Sequence, residues 1–239
     1  MIFENIKNVN VNNALSWENN IFLTFDIDWC TDEVLSYTLS IIEKYDIKAT
    51  FFVTHKTLLL ERMRANPKIE LGIHPNFNLL LNGDFRYGKN IDEVVDYYMK
   101  IVPDAKSVRS HSVTQNSQIL NSFEQFGLKF DSNTFIPHTS GIELKPWIYL
   151  NLIKVPYMFA DDLRSYHQWS LDVNNYLKIK GIKVFDFHPI HIFLNTEHLD
   201  RYEKSRKWHN CSENLQKQKY NGFGTHSFLI NLIEKGLEK

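Results

Sequence analysis

Short apolar segments alternate with amphipathic segments along most of the chain. The apolar segments predict buried strands, and the segments with apolar residues at helical spacing predict helices. The predicted strands are 21–28, 47–53, 68–74, 107–111, 129–133, 148–158 and 180–188. The predicted helices are 32–45, 57–65, 91–102, 116–126 and 228–235, and the segments 76–90 and 134–147 are predicted loops.

This alternation of strand and helix is typical of α/β proteins with parallel strands and right-handed crossovers. About seven such units fit a single-domain TIM-like barrel slightly smaller than the usual eightfold one. We assign the barrel to residues 21–239 and treat residues 1–20 as an N-terminal extension. No repeat or linker divides the chain further.

Composition narrows the classes of partner. The chain has 239 residues, 43% of them hydrophobic, which is enough for one domain with a large core. A net charge of -1 without charged blocks argues against nucleic acid and membrane surfaces, and no apolar run approaches the roughly 20 residues of a membrane span. Because residues 1–20 are polar and asparagine-rich, we expect no secretory signal and a cytoplasmic protein.

Polar side chains follow several of the predicted strands at the point where each strand ends. They are Asp26, Asp28, His74, Arg109, His111, Asp186 and His188. Barrel chemistry is located at the carboxyl ends of the strands, so these groups are expected on one rim. Residues i and i+2 of a strand face the same side, so Asp26 and Asp28 point together. Two such acids repel each other, and a metal ion is the first candidate to compensate for them.

The motifs TFDID, KATFFV, ELGIHP, VRSH, GLKFDSN and VFDFHP, in this order, resemble those of the polysaccharide deacetylases. This is carbohydrate esterase family 4, with the NodB homology fold, and the chain is most similar to its WbmS-like subgroup. The resemblance spans about residues 21–189. It implies a distorted (β/α)7 barrel with an Asp-His-His metal site, for which zinc comes first and nickel, cobalt and iron are alternatives.

The resemblance also implies roles for individual residues. Asp26 matches the catalytic base and Asp28 the metal-binding acid. His74 matches the first histidine of the family's HxxxH motif. Arg109 matches the arginine that pairs with the base, and His188 matches the general-acid histidine.

Two positions depart from the family's pattern. The two acids are adjacent in the family, whereas Ile27 separates them here, so either the strand bulges or Asp28 approaches a metal from a different angle. The second histidine of HxxxH is replaced by Asn78, and a neutral amide oxygen is a poor substitute for imidazole on zinc. We therefore expect His111 to be the third ligand, with Asn78 or an altered or absent metal as alternatives.

Three further roles are predicted around this centre. The backbone N–H near Ser112 is a candidate to hold the oxyanion of the reaction. Asp186 can hydrogen-bond His188 and fix its tautomer, with Asp131 as a competing partner. Trp29 can contribute to a platform on which a sugar stacks. The segments 161–175 and 196–220 match no motif of the family.

The expected function is that of a metal-dependent hydrolase that removes an N-acetyl group from a sugar. The expected substrate is a nucleotide-linked or lipid-linked precursor in surface polysaccharide biosynthesis. Two alternatives stay open: cleavage of another C–N bond, such as a cyclic amide, on the same barrel, and a catalytically degenerate barrel that binds a glycan without turnover.

Overall fold

The computed structural model describes residues 1–238, which contain ten strands and eleven α-helices. The strands are β1 Ile2–Phe3, β2 Asn20–Asp26, β3 Ala49–Val53, β4 Ile69–Ile73, β5 Ser107–Val108, β6 Phe130–Asp131, β7 Trp147–Tyr149, β8 Leu152–Lys154, β9 Phe159–Ala160 and β10 Lys183–Phe187. The helices are α1 Asp32–Tyr45, α2 Leu60–Ala65, α3 Asn78–Leu81, α4 Ile91–Met99, α5 Ser117–Gln125, α6 Asp161–His167, α7 Asn174–Leu177, α8 Pro189–Leu194, α9 Leu199–Ser205, α10 Ser212–Gln216 and α11 Thr225–Leu237.

All ten strands belong to one curled sheet in the order β7-β8-β6-β5-β4-β3-β2-β10-β9, with β1 beside β2. Every pairing is parallel except that of β7 with β8. The segment 152–160 pairs with β6 at its start and with β10 at its end. It therefore connects the two ends of the sheet and closes the barrel. The parallel positions are therefore β2, β3, β4, β5, β6, the segment 152–160 and β10, which confirms the distorted (β/α)7 barrel.

The lumen of the barrel is polar at its centre rather than filled with aliphatic side chains. Arg109 is fully buried there, and its guanidinium carbon lies 4.7 Å from the ring centre of Phe52 and 4.5 Å from that of Tyr157. Gly72 makes room for this arrangement, because a Cβ at that position would lie 2.7 Å from the Phe52 ring. The apolar core lies outside the strands, where Phe228 of α11 stacks on Phe159 of β9.

Residues 1–20 pack against the amino ends of the strands. Ile2 and Phe3 pair with Asn20 and Ile21, which adds β1 to the sheet. The following turn brings the amide of Lys7 within 3.0 Å of a carboxylate oxygen of the buried Glu70. The N-terminal segment thus covers the floor of the barrel, opposite the predicted rim.

Local geometry changes several predicted boundaries. Helix α1 has the predicted bounds, but β2 ends at Asp26 instead of residue 28, and β5 ends at Val108 instead of residue 111. Left-handed backbone at Asp28 and Trp29 follows the end of β2, and left-handed backbone at Ser112 and Val113 follows His111. The helices α6, α8, α9 and α10 lie in stretches for which no helix was predicted. Among residues 1–238, no helix combines the length and the apolar character needed to cross a membrane.

Candidate metal centre and active site

A strained turn after β2 sets the position of Asp28. Its φ is 33° and that of Trp29 is 53°, values that residues other than glycine rarely adopt. The amide of Trp29 donates to Thr54 Oγ1 at 3.1 Å, which holds the turn against β3. Strand β2 ends at Asp26, so Asp28 lies in the turn and not on the strand face predicted for both acids, although both carboxylates reach the ring of His74. Asp28 approaches the rim from a different angle, which is one of the two options that the sequence left open.

Three side-chain atoms form a nearly equilateral triangle at the mouth of the barrel, which is the rim at the carboxyl ends of the strands. Asp28 Oδ1 lies 3.4 Å from His74 Nε2 and 3.3 Å from His111 Nδ1, and the two nitrogens are 3.3 Å apart. Tetrahedral zinc with ligand bonds of about 2.0–2.1 Å separates its ligand atoms by about 3.3–3.4 Å. The triangle thus has the dimensions of one face of a tetrahedral metal site.

The electrostatics of the triangle also fit a cation. Asp28 Oδ1 is buried and has no hydrogen-bond partner of good geometry among residues 1–238. Burial alone raises the pKa of Asp28, but the adjacent imidazoles of His111 and His74 and the charge of His188 lower it well below its ordinary value. An ionised carboxylate beside two imidazole nitrogens is a donor set that zinc binds. The residues present therefore fit the metal that the family resemblance implies.

Asn78 has a different part in the structure. Its Oδ1 accepts from Thr114 Oγ1 at 3.1 Å, and its Nδ2 donates to Ser112 Oγ at 3.1 Å. These bonds brace the turn that follows His111, in which Ser112 and Val113 have φ values of 54° and 47°. The amide oxygen of Asn78 is thus already engaged, whereas His111 reaches Asp28.

Arg109 ties together the acids inside the barrel. Its Nη1 donates to Asp26 Oδ1 at 3.1 Å, to Asp186 Oδ1 at 2.5 Å and to Thr24 Oγ1 at 2.9 Å. Burial alone lowers the pKa of Arg109, but the charges of Asp186 and Asp26 raise it. Asp26 Oδ2 also lies 3.6 Å from His74 Nδ1, the nitrogen that faces away from the triangle. This distance is too long for a hydrogen bond, and His74 Nδ1 has no hydrogen-bond partner among residues 1–238.

His188 is held by an acid that sequence reasoning missed. Asp161 Oδ1 lies 2.7 Å from His188 Nδ1, and Asp161 Oδ2 accepts the backbone N–H of His188 at 2.9 Å. The predicted partners Asp186 and Asp131 were wrong, since Asp186 bonds Arg109 and Asp131 bonds Lys154. The expectation that polar residues at the carboxyl ends of strands gather on one rim, here called the strand-end rule, would have found Asp161. The predicted strand, however, stopped at residue 158, two residues before the end of β9.

The pKa values of this pair follow from its burial and its charges. Burial alone lowers the pKa of His188, but the charge and hydrogen bond of Asp161, followed by the charges of Asp28 and Asp186, raise it well above its ordinary value. Burial raises the pKa of Asp161 to about 6, and His188 opposes that shift. His188 is thus favoured in its protonated form, with Nε2 3.6 Å from Asp28 Oδ2.

The triangle lies at the junction of two cavities. We call the first, of about 330 Å³, the barrel lobe; its lining includes Asp26, His74, Arg109, Ser112, Tyr157 and Asp186. We call the second, of about 370 Å³, the helix lobe; its lining includes Trp29, Ile190, His191, Leu199, Tyr202 and His209. Asp28, His111, Asp162 and His188 line both lobes. A ligand in either lobe therefore lies beside the candidate metal site.

Two other groups of acids and histidines at the mouth are poorer metal sites. Asp26, Asp186 and His188 approach one another, but Arg109 already donates to one oxygen of each acid. Asp161, Asp162 and His188 also approach one another, but both oxygens of Asp161 are engaged by His188. The triangle is thus the group with free ligand atoms.

Two comparisons with known proteins found similar sequences and structures. The model of the WbmS-like polysaccharide deacetylase family matches residues 23–206. A crystal structure from Bordetella bronchiseptica, of a protein assigned as a polysaccharide deacetylase involved in O-antigen biosynthesis, is 41% identical, covers 98% of both chains and has a TM-score of 0.93. No curated protein matches the chain.

More distant structures are also similar. A family 4 carbohydrate esterase from Streptomyces lividans in complex with acetate is 13% identical, over 71% of this chain and 78% of that one, with a TM-score of 0.47. A family 4 pseudoenzyme from Bacillus anthracis is 14% identical, over 92% of this chain and 66% of that one, with a TM-score of 0.44.

Proposed function

Because this chain belongs to the WbmS-like polysaccharide deacetylases, we propose that it is a metal-dependent hydrolase that removes an N-acetyl group from a sugar of a surface polysaccharide or its precursor. The observation that carries the metal dependence is the triangle of Asp28 Oδ1, His74 Nε2 and His111 Nδ1, with edges of 3.3–3.4 Å. The link to surface polysaccharide comes from the description of the Bordetella relative. A cytoplasmic location and a nucleotide- or lipid-linked substrate stay predictions.

Asp28, His74 and His111 would hold the metal, with zinc first and nickel, cobalt or iron as alternatives. Bound there, the metal would supply a Lewis acid that polarises the acetamide carbonyl and makes a water acidic enough to attack near neutral pH. The assignment of His111 as third ligand is favoured because the oxygen of Asn78 already accepts a bond from Thr114.

Asp26 is assigned the role of general base. It lines the barrel lobe beside His74, and Arg109 holds one of its oxygens at 3.1 Å. This ion pair fixes the orientation of the carboxylate, while Asp26 Oδ2 is left without a bond from Arg109. A base must reach the proton of the attacking water directly or through one other water, which this position on the lobe wall allows.

His188 is assigned the role of general acid. Its Nδ1 is held by Asp161, so its Nε2 faces the cavity near Asp28 and can donate a proton to the departing amine. Without that proton the amine is too basic to leave. The backbone N–H of Ser112, on the wall of the barrel lobe, is the candidate donor to the oxyanion.

Metal analysis and acetate release test the proposal together. The purified protein is expected to contain about one divalent ion per chain and to release acetate from N-acetylated oligosaccharides. Chelation is expected to abolish release, and zinc to restore it. Absence of both metal and turnover would favour the degenerate glycan-binding barrel. If the protein binds metal and hydrolyses cyclic amides but releases no acetate, the alternative function of cleaving a different C–N bond is favoured.

A matched pair of variants tests the ligand set. His111→Ala is expected to lower zinc affinity by more than about 100-fold, because it removes one of the three ligand atoms. Asn78→Ala breaks only the bonds to Thr114 and Ser112, so its effect on zinc affinity is expected to be smaller. Competition against a chromogenic zinc chelator measures both affinities. A larger loss of zinc affinity in Asn78→Ala than in His111→Ala would instead identify Asn78 as the ligand.

A further inference from the structure

The helix lobe is built largely by a part of the chain to which no role was assigned from sequence. His191 lies on α8, Tyr202 on α9, and His209 follows the 3₁₀ helix Arg206–Trp208. The ring of Tyr202 has its centre 4.8 Å from that of His191 and 4.9 Å from that of His209. These three rings form one continuous aromatic wall of the lobe, which we call the ring wall.

The ring wall is anchored independently of the candidate metal site. His191 is buried, and its Nδ1 lies 3.1 Å from Thr196 Oγ1. Ser205 Oγ lies 3.1 Å from His209 Nε2. The wall is therefore preformed, and its rings do not depend on a ligand to fix their orientation.

Among residues 1–238, the cationic side chain that lines the helix lobe is His188, which stands at the mouth that both lobes share. Within the described part of the chain, neither lysine nor arginine lines it, whereas the acids Asp28 and Asp162 do. Burial, followed by the charge of His188, lowers the pKa of His191 to about 3, so this part of the wall is uncharged near neutral pH. Phosphate groups are usually recognised by arginine, lysine or helix N-termini. Away from His188, a diphosphate in this lobe would face the carboxylate of Asp162, with no lysine or arginine in the lining to bind it.

The lining suits an uncharged ring with one apolar face. Ile190 and Leu199 add aliphatic surface next to the ring wall, and Trp29 adds a further aromatic side chain. Aromatic rings offer a large rigid contact surface to such a ligand, and the neighbouring polar groups can bond its hydroxyls. The volume of about 370 Å³ is at the low end for small-molecule sites.

We infer that the helix lobe is a subsite for an uncharged sugar residue next to the one that carries the acetamide, with Tyr202 at its centre. This inference rests on the proposed function, because it places the acetamide at the triangle, which the lobe shares through Asp28 and His111. The substrate class is then a neutral di- or oligosaccharide unit. A sugar whose neighbouring group is a nucleoside diphosphate is disfavoured.

Binding and turnover by three probes test the inference. The probes are N,N′-diacetylchitobiose, the methyl glycoside of N-acetylglucosamine and UDP-N-acetylglucosamine. Tyr202→Ala is expected to weaken disaccharide binding, and to raise its KM, about tenfold, because a stacked ring is lost. The same change is expected to leave the affinity and the KM for the methyl glycoside within about twofold of the wild-type values. Lys204→Ala, an exposed position on the same helix, serves as the matched control and is expected to behave like wild type.

The outcomes separate this inference from the proposed function. If disaccharide binding depends on Tyr202 but no acetate is released, the subsite is supported and the deacetylase function is contradicted. Acetate release with equal losses for all three probes in Tyr202→Ala retains the deacetylase and overturns the subsite. Binding of the UDP-sugar tighter than that of the disaccharide, or no disaccharide binding at millimolar concentration, overturns the subsite as well.

Discussion

Each end of the barrel holds a carboxylate with at least one buried oxygen, and the two carboxylates have opposite surroundings. At the floor, Glu70 accepts from Ser107 Oγ at 2.5 Å, from Thr50 Oγ1 at 2.8 Å and from the amide of Lys7 at 3.0 Å. At the mouth, Asp28 Oδ1 accepts no hydrogen bond of good geometry within residues 1–238 and faces two imidazole nitrogens.

The pKa shifts of these two acids differ in sign. Burial raises the pKa of Glu70, and its hydrogen bonds from Ser107, Lys7 and Thr50 do not fully offset that effect. Burial acts in the same direction on Asp28, but the imidazoles and the charge of His188 outweigh it. A buried acid with satisfied oxygens indicates a structural role, whereas a charged one with a free oxygen indicates a site prepared for a cation.

The largest effect is expected at the mouth. Asp26→Asn removes the proposed base, so kcat for acetate release should fall about 10²–10⁴-fold. Metal content should be retained, because Asp26 is outside the triangle, and the melting temperature should change little, since Asp186 still pairs with Arg109. Acetate assays, metal analysis and thermal unfolding of the same preparation check this. Retained turnover would remove the base assignment.

Asp161→Asn should have the next largest effect, a loss of about 10–100-fold in kcat, because it frees the ring of His188 without removing it. Asp161 raises the pKa of His188, so its loss should lower that pKa. The alkaline limb of the pH–rate profile, where the protonated acid is lost, should then move to lower pH. Asp162→Asn is the matched control and should leave this limb in place. A fall in rate with an unchanged limb would contradict the assignment of His188 as acid.

At the floor, Glu70→Ala should affect stability rather than chemistry. It leaves buried donors on Thr50, Ser107 and Lys7 without their acceptor, which should lower the free energy of unfolding by about 1–3 kcal/mol. Urea denaturation measures this change, and kcat of the folded variant should match wild type. The exposed acid Glu61 offers a control, since Glu61→Ala should change stability less. If Glu70→Ala were as stable as wild type but had impaired turnover, Glu70 would have a role in catalysis and not in stability.

The smallest effect is a change of stability with pH. The pKa of Glu70 is raised in the folded protein, so its protonated form contributes stability that is present below the unfolded pKa of about 4.3 and is lost as pH rises through the folded pKa. Glu70→Gln cannot titrate. The stability of this variant relative to wild type should therefore increase between pH 4 and pH 7, as measured by urea denaturation at several pH values. A constant difference would show that Glu70 titrates normally.

Much of the fold and part of the site were accessible from the sequence. The alternation of apolar and amphipathic segments predicted the barrel, and the strand-end rule selected Asp26, His74, Arg109 and His188 for one rim. The same rule also selected Asp28 for the rim but not its direction of approach, because β2 ends at Asp26 and Asp28 lies in a left-handed turn. It missed Asp161 because that residue follows the two-residue strand β9, which no periodic pattern marks.

Local periodicity determines which side chains lie at the ends of the regular strands, because alternation along a strand needs only neighbouring residues. The choice between His111 and Asn78, the partner of His188 and the ring wall depend on distances between separate loops. Those distances result from how β2, β4 and β5 turn at their ends and from where α8 and α9 pack. Only the tertiary structure decides them, since the atoms of the triangle come from three segments that are far apart in the chain.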